Sequence, residues 1–343
     1  MHAVAYRHSR PVTADDALVD VEIDRPQPGP RDLVVKVEAV SVNPVDTKVR
    51  RNSDPGGKPR VLGFDAAGTV AEVGAEVRLF KPGDAVWYAG SNARPGCDAE
   101  YHAVDERIVG RKPTRLDFAE AAALPLTAVT AWELLFDRIG VKPGAVADRR
   151  SLLIIGGAGG GGSIAIQLAR VLTGLTVVAT ASRPETVDWV KGLGAHHVID
   201  HRQPLRPQLT ELGLPSVDIV TAFVGTKAHA PAIADIVALE GHIGMIEGDG
   251  PTGFAPADFG KLFQKSVALH LELMFARPAI GGKTMIRQHE ILDAVADLVD
   301  AGKVRTTLTQ RLSPISAVRL REAHAAVESS GMIGKVVVAG WPK

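Results

Sequence analysis

Between Leu33 and Ala39 the chain alternates, with Leu33, Val35, Val37 and Ala39 on one face and Lys36 and Glu38 on the other. This is the period-two pattern of a half-buried strand. Two further apolar runs, AAGTVAEVG and DAVWYAG, are separated by LFKPGD, where Pro82 and Gly83 suit the central positions of a type II turn. The first ~110 residues therefore predict a mainly β segment.

The period then changes. After SLLII, residues Ile164, Leu168, Val171 and Leu172 recur at helical spacing and predict a helix that ends near Gly174. LTVVAT predicts a buried strand, and Pro184 suits the first turn of the next helix, ETVDWVKGLG, closed by Gly192 and Gly194. HHVID, VDIVTAF, HIGMI and SVALHLEL predict further short strands. Strands alternating with helices imply βαβ units and a parallel sheet covered on both faces, here from about residue 150 to about 273. In the tail, Ile291, Leu292, Val295, Leu298 and Val299 form one helical stripe that Gly302 stops, and KVVVAG predicts a last strand.

Composition narrows the function classes. At 343 residues and 45% hydrophobic content the chain can bury two cores. Lys plus Arg and Asp plus Glu balance at 39 each, so no excess charge steers the chain to nucleic acid or an anionic membrane. A small-molecule partner fits better. The single cysteine, Cys97, can make no internal disulfide and cannot supply the thiolates of a structural zinc or iron-sulfur site. Scattered histidines such as His2, His8, His102, His196 and His197 show no ligand spacing, and no metal is expected. The opening residues, MHAVAYRHSRPVTADD, lack the basic and apolar regions of a secretory signal, so a cytoplasmic protein is expected. Ser151 to Ala169 carries no charge over 19 residues, yet its six glycines argue against a membrane span.

Those glycines carry the chemistry. Gly157, Gly159 and Gly162 satisfy G-x-G-x-x-G directly after a predicted strand and at the mouth of a predicted helix, with Gly160 and Gly161 between them. In that frame the pattern points to dinucleotide binding, with the pyrophosphate on free N–H groups at the helix N-terminus. The end of the second strand selects the dinucleotide. There the sequence reads ATASRPE: Ser182 and Arg183 suit a 2′-phosphate, and Glu185 lies too late to bond a ribose 2′-hydroxyl. NADPH is the expected cofactor, against the alternative that Ser182 is a helix cap and Arg183 a solvated side chain.

SVNPVDTK at 41 to 48, LGFDAAGTVAEVG at 62 to 74, FKPGD at 80 to 84, LPLTAVTAWELL at 124 to 135, the glycine loop, KGLGAHHVID at 191 to 200 and GKVVV at 334 to 338 resemble the medium-chain dehydrogenase/reductase superfamily. Within it the chain is most similar to the zinc-free quinone oxidoreductase branch, in particular to a bacterial group labelled zinc-type alcohol dehydrogenase-like. The resemblance implies an α/β protein with two parts. Residues 1–126 and 276–343 would form a GroES-like β-barrel catalytic domain, and residues 127–275 a Rossmann doubly wound parallel-sheet domain for NADP(H), in a homodimer. It also implies that Asn43 stands where zinc-holding relatives have a cysteine, and Phe64-Asp65 where they have a His-Glu pair. Without a Lewis acid, hydride transfer to a quinone or an α,β-unsaturated carbonyl is easier than ionising an alcohol.

Carried over by resemblance, Asn43 lies beside the nicotinamide and Thr130 at its ribose or ring. Gly159 to Gly162 cradle the pyrophosphate, and Ser182 with Arg183 take the 2′-phosphate. Val224, Ile246, Met274 and Phe275 line the nicotinamide arm, and Lys335 is a basic residue at its far side. Three departures stand out: Lys48 replaces a common tyrosine, His201 replaces a tyrosine near the adenosine phosphate, and Gly161 replaces a valine. Lys48 and Tyr88 are candidate proton donors that Asp46 could orient; ordinary packing of Trp87 and Tyr88, and a cap or turn role for Asp46, are the alternatives. Two other functions remain open at this level: an enoyl-thioester reductase of the same superfamily, and an NADPH-binding redox sensor without turnover.

Overall fold

The computed structural model describes residues 1–247, 253–329 and 331–342. Its first part is strand-rich: β1 (His2–Tyr6), β2 (Val19–Glu22), β3 (Asp32–Ser41), helix α1 (Pro44–Asn52), β4 (Arg60–Val61), β5 (Ala66–Val73), β6 (Ala85–Tyr88), β7 (Tyr101–Asp105) and β8 (Val109–Arg111). Helices α2 (Phe118–Ala122) and α3 (Pro125–Trp132) follow, and a π-helical turn spans Glu133–Arg138. Next come β9 (Ser151–Ile155), α4 (Gly160–Leu172), β10 (Thr176–Thr180), α5 (Pro184–Gly192), β11 (His197–Ile199), α6 (Leu205–Glu211) and β12 (Val217–Ala222). α7 (Thr226–Ile236), β13 (Val237–Met245), α8 (Pro256–Gln264) and β14 (Ala268–Leu271) complete that alternating run. The chain closes with α9 (Ala276–Ile280), α10 (Arg287–Asp300), β15 (Leu308–Leu312), α11 (Ala317–Glu328) and β16 (Lys335–Ala339).

Two compact units result, one from residues 1–129 with 274 onward and the other from Thr130–Leu273. This division meets at 129/130 and 273/274, where the resemblance implies 126/127 and 275/276. It moves Met274 and Phe275 into the first unit.

In the first unit a mostly antiparallel sheet runs β15-β16-β3-β5-β6-β8, with β7 also paired to β3, and β2-β1-β4 form a smaller sheet. Tyr6, Val35, Val37, Val40, Leu62, Val86, Tyr88, Val104, Val336 and Val338 share its buried core. The turn between β5 and β6 follows from its sequence: Gly83 has φ +93, and Asp84 N–H closes on Lys81 O at 3.2 Å. Such a φ is open to glycine at the third position of a type II turn and strained for other residues.

The second unit holds a parallel sheet in the order β11-β10-β9-β12-β13-β14. Counted along the chain, that is the three-two-one-four-five-six order of a dinucleotide-binding sheet, whose ligand crevice opens outside the carboxyl ends of the strands where the order reverses. β9 is the strand at the reversal. Its five residues are all buried, as a strand covered on both faces requires, so it reads as the continuous apolar run SLLII.

Candidate functional site

The glycine stretch leaves the end of β9 and enters α4. Gly157 and Gly162 are buried while Ala158, Gly159, Gly160 and Gly161 are partly exposed, so two glycines anchor the turn and the others form its mouth. A Cβ on Gly162 would lie 2.2 Å from Gly156 O and 2.7 Å from Gly157 Cα, both backbone atoms. Helix and turn touch there without room for a side chain. At Gly159 a Cβ would meet only Gly156 O, at 3.6 Å, so the bare backbone there borders open space. The intrahelical ladder of α4 begins with Ser163 N–H on Gly159 O at 2.9 Å. The N–H groups ahead of it are those an α-helix leaves for an outside acceptor, at the positive end of its dipole.

Residues outside the fingerprint hold this turn in place. Trp189 of α5 donates its indole N–H to Ser163 Oγ at 2.8 Å, and Gly156 N–H donates to Thr180 Oγ1 at 3.0 Å. Gly156 itself has φ +82. Val224, expected on the nicotinamide arm, sits over this turn, since a Cβ on Gly156 would meet Val224 Cγ1 at 2.5 Å. The departure at Gly161 also finds its cause: a Cβ there would strike the Phe223 ring at 2.6 Å. Ser163, Trp189, Thr180 and Phe223 carry no motif of their own, and their roles depend on contacts with other elements. Thr130 is buried on α3, and Ile246, just after β13, is partly buried.

The carboxyl ends of β10 and β11 lie side by side, with Thr180 opposite Ile199. This brings Ser182 and Arg183 together with Asp200, His201 and Arg202. Arg183 is the N-cap of α5 and pairs through Nε with Glu185 at 3.1 Å. Arg202 reaches Ser182 O with one terminal nitrogen and grips Asp200, holding that carboxyl down at about 2. Arg202 is thus a second guanidinium beside the predicted phosphate position, and sequence reasoning missed it. Both carboxylates near this corner, Glu185 and Asp200, are held by arginines. His201 is exposed and meets His229 edge to face, ring centroids 6.1 Å apart.

In the first unit the chemistry concentrates where β3 runs into α1. Asn43 is buried as the N-cap, and its N–H donates to Asp46 Oδ2 at 2.7 Å. Its side-chain amide donates to Asp65 Oδ2 at 2.9 Å, and its Oδ1 accepts from Lys335. Lys335, at the start of β16 and 2% exposed, also donates to Val42 O and to Asp65 Oδ2, each at 3.1 Å. Asp65, fully buried, accepts Leu126 N–H on Oδ1 at 2.8 Å. Burial pushes the Asp65 carboxyl up, and the Lys335 ammonium opposes that push. Burial likewise raises Asp46 to about 7, against N–H donors from Asn43 and Gly63, and raises Asp98 well above the carboxylate range.

The structure shows the surroundings of the other predicted site residues. The Lys335 ammonium donates to three oxygens of its own unit, which uses the three donors a lysine has. Tyr88, a candidate proton donor, is fully buried in the barrel core. Its ring stacks on His102, and its hydroxyl lies 3.1 Å from His102 Nδ1. Since His102 Nε2 faces the Pro95 carbonyl at 3.0 Å, Nε2 carries the proton and the phenol donates to Nδ1. Lys48, by contrast, is exposed on α1. Met274 and Phe275 are buried in the first unit, where Phe275 packs edge to face on Phe64, centroids 5.1 Å apart.

Comparison with known proteins fits this two-part arrangement. Residues 29–125 match the model of the alcohol dehydrogenase GroES-like domain, and residues 193–338 match one described as zinc-binding dehydrogenase. A zinc-type alcohol dehydrogenase-like protein of Staphylococcus aureus (strain MSSA476) is 42% identical over 316 residues, covering 92% of each chain. A solved structure from Rhizobium etli CFN 42, provisionally described as a zinc-dependent alcohol dehydrogenase, is 53% identical with TM-score 0.93 over 100% of this chain and 99% of that one. The quinone oxidoreductase from Coxiella burnetii is 28% identical with TM-score 0.79 over 99% of both chains. A GroES-like unit joined to a dinucleotide-binding sheet defines an oxidoreductase of the medium-chain dehydrogenase/reductase superfamily, and the chain belongs to it. Its relatives within the superfamily include proteins named zinc-type alcohol dehydrogenase-like and others named quinone oxidoreductase.

The zinc in those names can be tested against the residues present. Where the resemblance implies a zinc-ligating cysteine stands Asn43, whose amide is spent on Asp65 and Lys335. Phe64 packs its ring against Phe275 and offers no donor. Asp65 already faces an ammonium ion. Among the described residues no group of three or more His, Cys, Asp or Glu side chains converges as a metal site. The donor set does not fit zinc. The glycine turn does fit a dinucleotide, because its mouth is bare where a pyrophosphate would approach.

Proposed function

We propose that this protein reduces a quinone or an α,β-unsaturated carbonyl compound with NADPH, by hydride transfer and without zinc, as a cytoplasmic homodimer. The observation that carries the reading is a built dinucleotide turn in one unit and, in the other, a buried Asn43–Asp65 cluster whose cation is the Lys335 ammonium. Bound NADPH would supply the hydride; the chain's own residues supply placement and charge. Gly159 to Gly161 and the first turn of α4 would take the pyrophosphate. Ser182, Arg183 and Arg202 would take the 2′-phosphate, and the two carboxylates nearby are already engaged, which favours NADPH over NADH. With no Lewis acid to ionise an alcohol, an acceptor made electrophilic by a conjugated carbonyl is the matching substrate. Its enolate or quinol oxygen is protonated from solvent or from exposed Lys48, because the Tyr88 hydroxyl is committed to His102.

The deciding assay follows NADPH oxidation with a naphthoquinone, an alkyl enone and, in reverse, a primary alcohol, each repeated with NADH and with chelator. Chelator-insensitive reduction of quinone or enone, faster with NADPH, is expected. Alcohol oxidation abolished by chelator would overturn the reading. Replacing Arg183 or Arg202 by alanine is expected to raise the KM for NADPH roughly tenfold each, one charge-assisted contact apiece, and to leave the KM for NADH within about twofold. Equal effects on both cofactors would remove these residues from the phosphate site.

A further inference from the structure

Lys335 lies inside the segment matched by a zinc-binding dehydrogenase model, yet in this chain it is itself the cation. Its Nζ donates to Val42 O, Asn43 Oδ1 and Asp65 Oδ2, so backbone, amide and carboxylate oxygens from the two residues after β3 and the residue before β5 converge on one positive charge. The contact fixes more than charge. Because the ammonium can only donate, Asn43 must turn Oδ1 toward it and Nδ2 toward Asp65, which leaves the carboxamide one orientation. Asp65 then ties the same centre to α3 through Leu126 N–H and to Ser41 N–H through its own carbonyl at 3.0 Å. Asp46 completes the frame by holding Asn43 N–H and Gly63 N–H on its two oxygens.

The geometry points to Lys335 as a positioning residue that takes the place of a metal ion: an internal cation that orients Asn43 and neutralises Asp65, so that the unit is complete without a divalent ion. Lys335 is then not a direct ligand of the cofactor. Removing it leaves Asp65 buried without its countercharge and frees the Asn43 amide to rotate; removing both charges restores balance but not the orientation. The inference rests on the reductase reading for its kinetic consequence alone.

The experiment compares wild type with Lys335→Met, Asp65→Asn and the double variant. Each single change is expected to lower the unfolding midpoint by roughly 10 °C, with the double variant recovering most of that loss. In the same set, Lys335→Met is expected to lower kcat roughly 30- to 100-fold with the KM for NADPH within about twofold, and the double variant to stay slow although it is stable. Purified wild type is expected to carry no stoichiometric zinc. A Lys335→Met chain with wild-type kcat would overturn the inference, as would a KM for NADPH raised tenfold at unchanged kcat, which would make Lys335 a cofactor ligand. Additive losses in stability, or one zinc per chain whose removal abolishes turnover, would also overturn it. If wild type reduces no quinone or enone, the reductase reading fails by itself, and the stability cycle and metal content still decide the role of Lys335.

Discussion

Gly162→Ala is expected to weaken NADPH binding roughly 10²-fold and to destabilise the Rossmann unit by about 3 kcal/mol. The added methyl would lie 2.2 Å from Gly156 O and 2.7 Å from Gly157 Cα, and neither backbone atom can swing aside as a side chain would. Relief requires the first turn of α4 to lift away from the turn after β9, and that movement spoils the alignment of the N–H groups meant for the pyrophosphate. Gly159→Ala separates the two effects. There φ is −73, ordinary for alanine, and the nearest atom to the new methyl is Gly156 O at 3.6 Å. Its unfolding midpoint is therefore expected to stay close to wild type while NADPH affinity still falls, because the methyl would occupy the room a phosphate needs. Fluorescence titration of NADPH beside thermal unfolding checks both. A Gly159→Ala chain that binds NADPH as wild type does would show that the open space at the mouth of the turn is not where the cofactor sits.

The contrast between these two glycines shows what the sequence could disclose. The strand, the turn and the helix were readable because their periods and breakers are local: five apolar residues, a glycine run, a stripe at helical spacing. The same holds for the Pro82-Gly83 turn, where Gly83 adopts φ +93. Which glycine is jammed and which is open was not readable, because that depends on how the turn folds back on the helix. Tyr88 illustrates a different limit. In β6 the last three residues are all buried, so the strand is covered on both faces and inward and outward positions cannot be told apart by alternation. Lys335 opens an apolar strand, and the resemblance implies only a basic residue at the far side of the nicotinamide. Its partners Asp65 and Asn43 are 270 and 292 residues away in sequence, so no local pattern could report that it is buried. Arg202 reads as a surface charge for the same reason. Its contact with Ser182 O exists because β10 and β11 pair in parallel register.

The second large effect is a pH dependence of stability written by Asp46. Its carboxyl, fully buried, is raised by desolvation to about 7 from an ordinary 3.8. Between those values the folded chain holds a proton that the unfolded chain has released, so stability falls as pH rises from about 4 to about 7 and levels off above. Three pKa units correspond to about 4 kcal/mol, of which about 3 kcal/mol falls between pH 5 and pH 8. Two histidines act in the opposite direction. Burial lowers His102 to about 4 and His324 to about 3 from 6.5, so the unfolded chain takes up protons that the folded chain refuses, and stability falls as pH drops below 6.5. The raised carboxyls of Asp65 and Asp98 add to the Asp46 slope. The wild-type curve therefore mixes opposed slopes, and the Asp46 contribution is isolated only as a difference between chains. Asp46→Asn carries a constant penalty, since its amide group must face either the Asn43 or the Gly63 N–H that a carboxylate oxygen accepted. On top of that constant, urea unfolding is expected to show the variant gaining about 3 kcal/mol relative to wild type between pH 5 and pH 8. Parallel stability curves would mean that Asp46 is ionised in the folded chain throughout, with Gly63 and Asn43 N–H groups and Lys335 outweighing its burial.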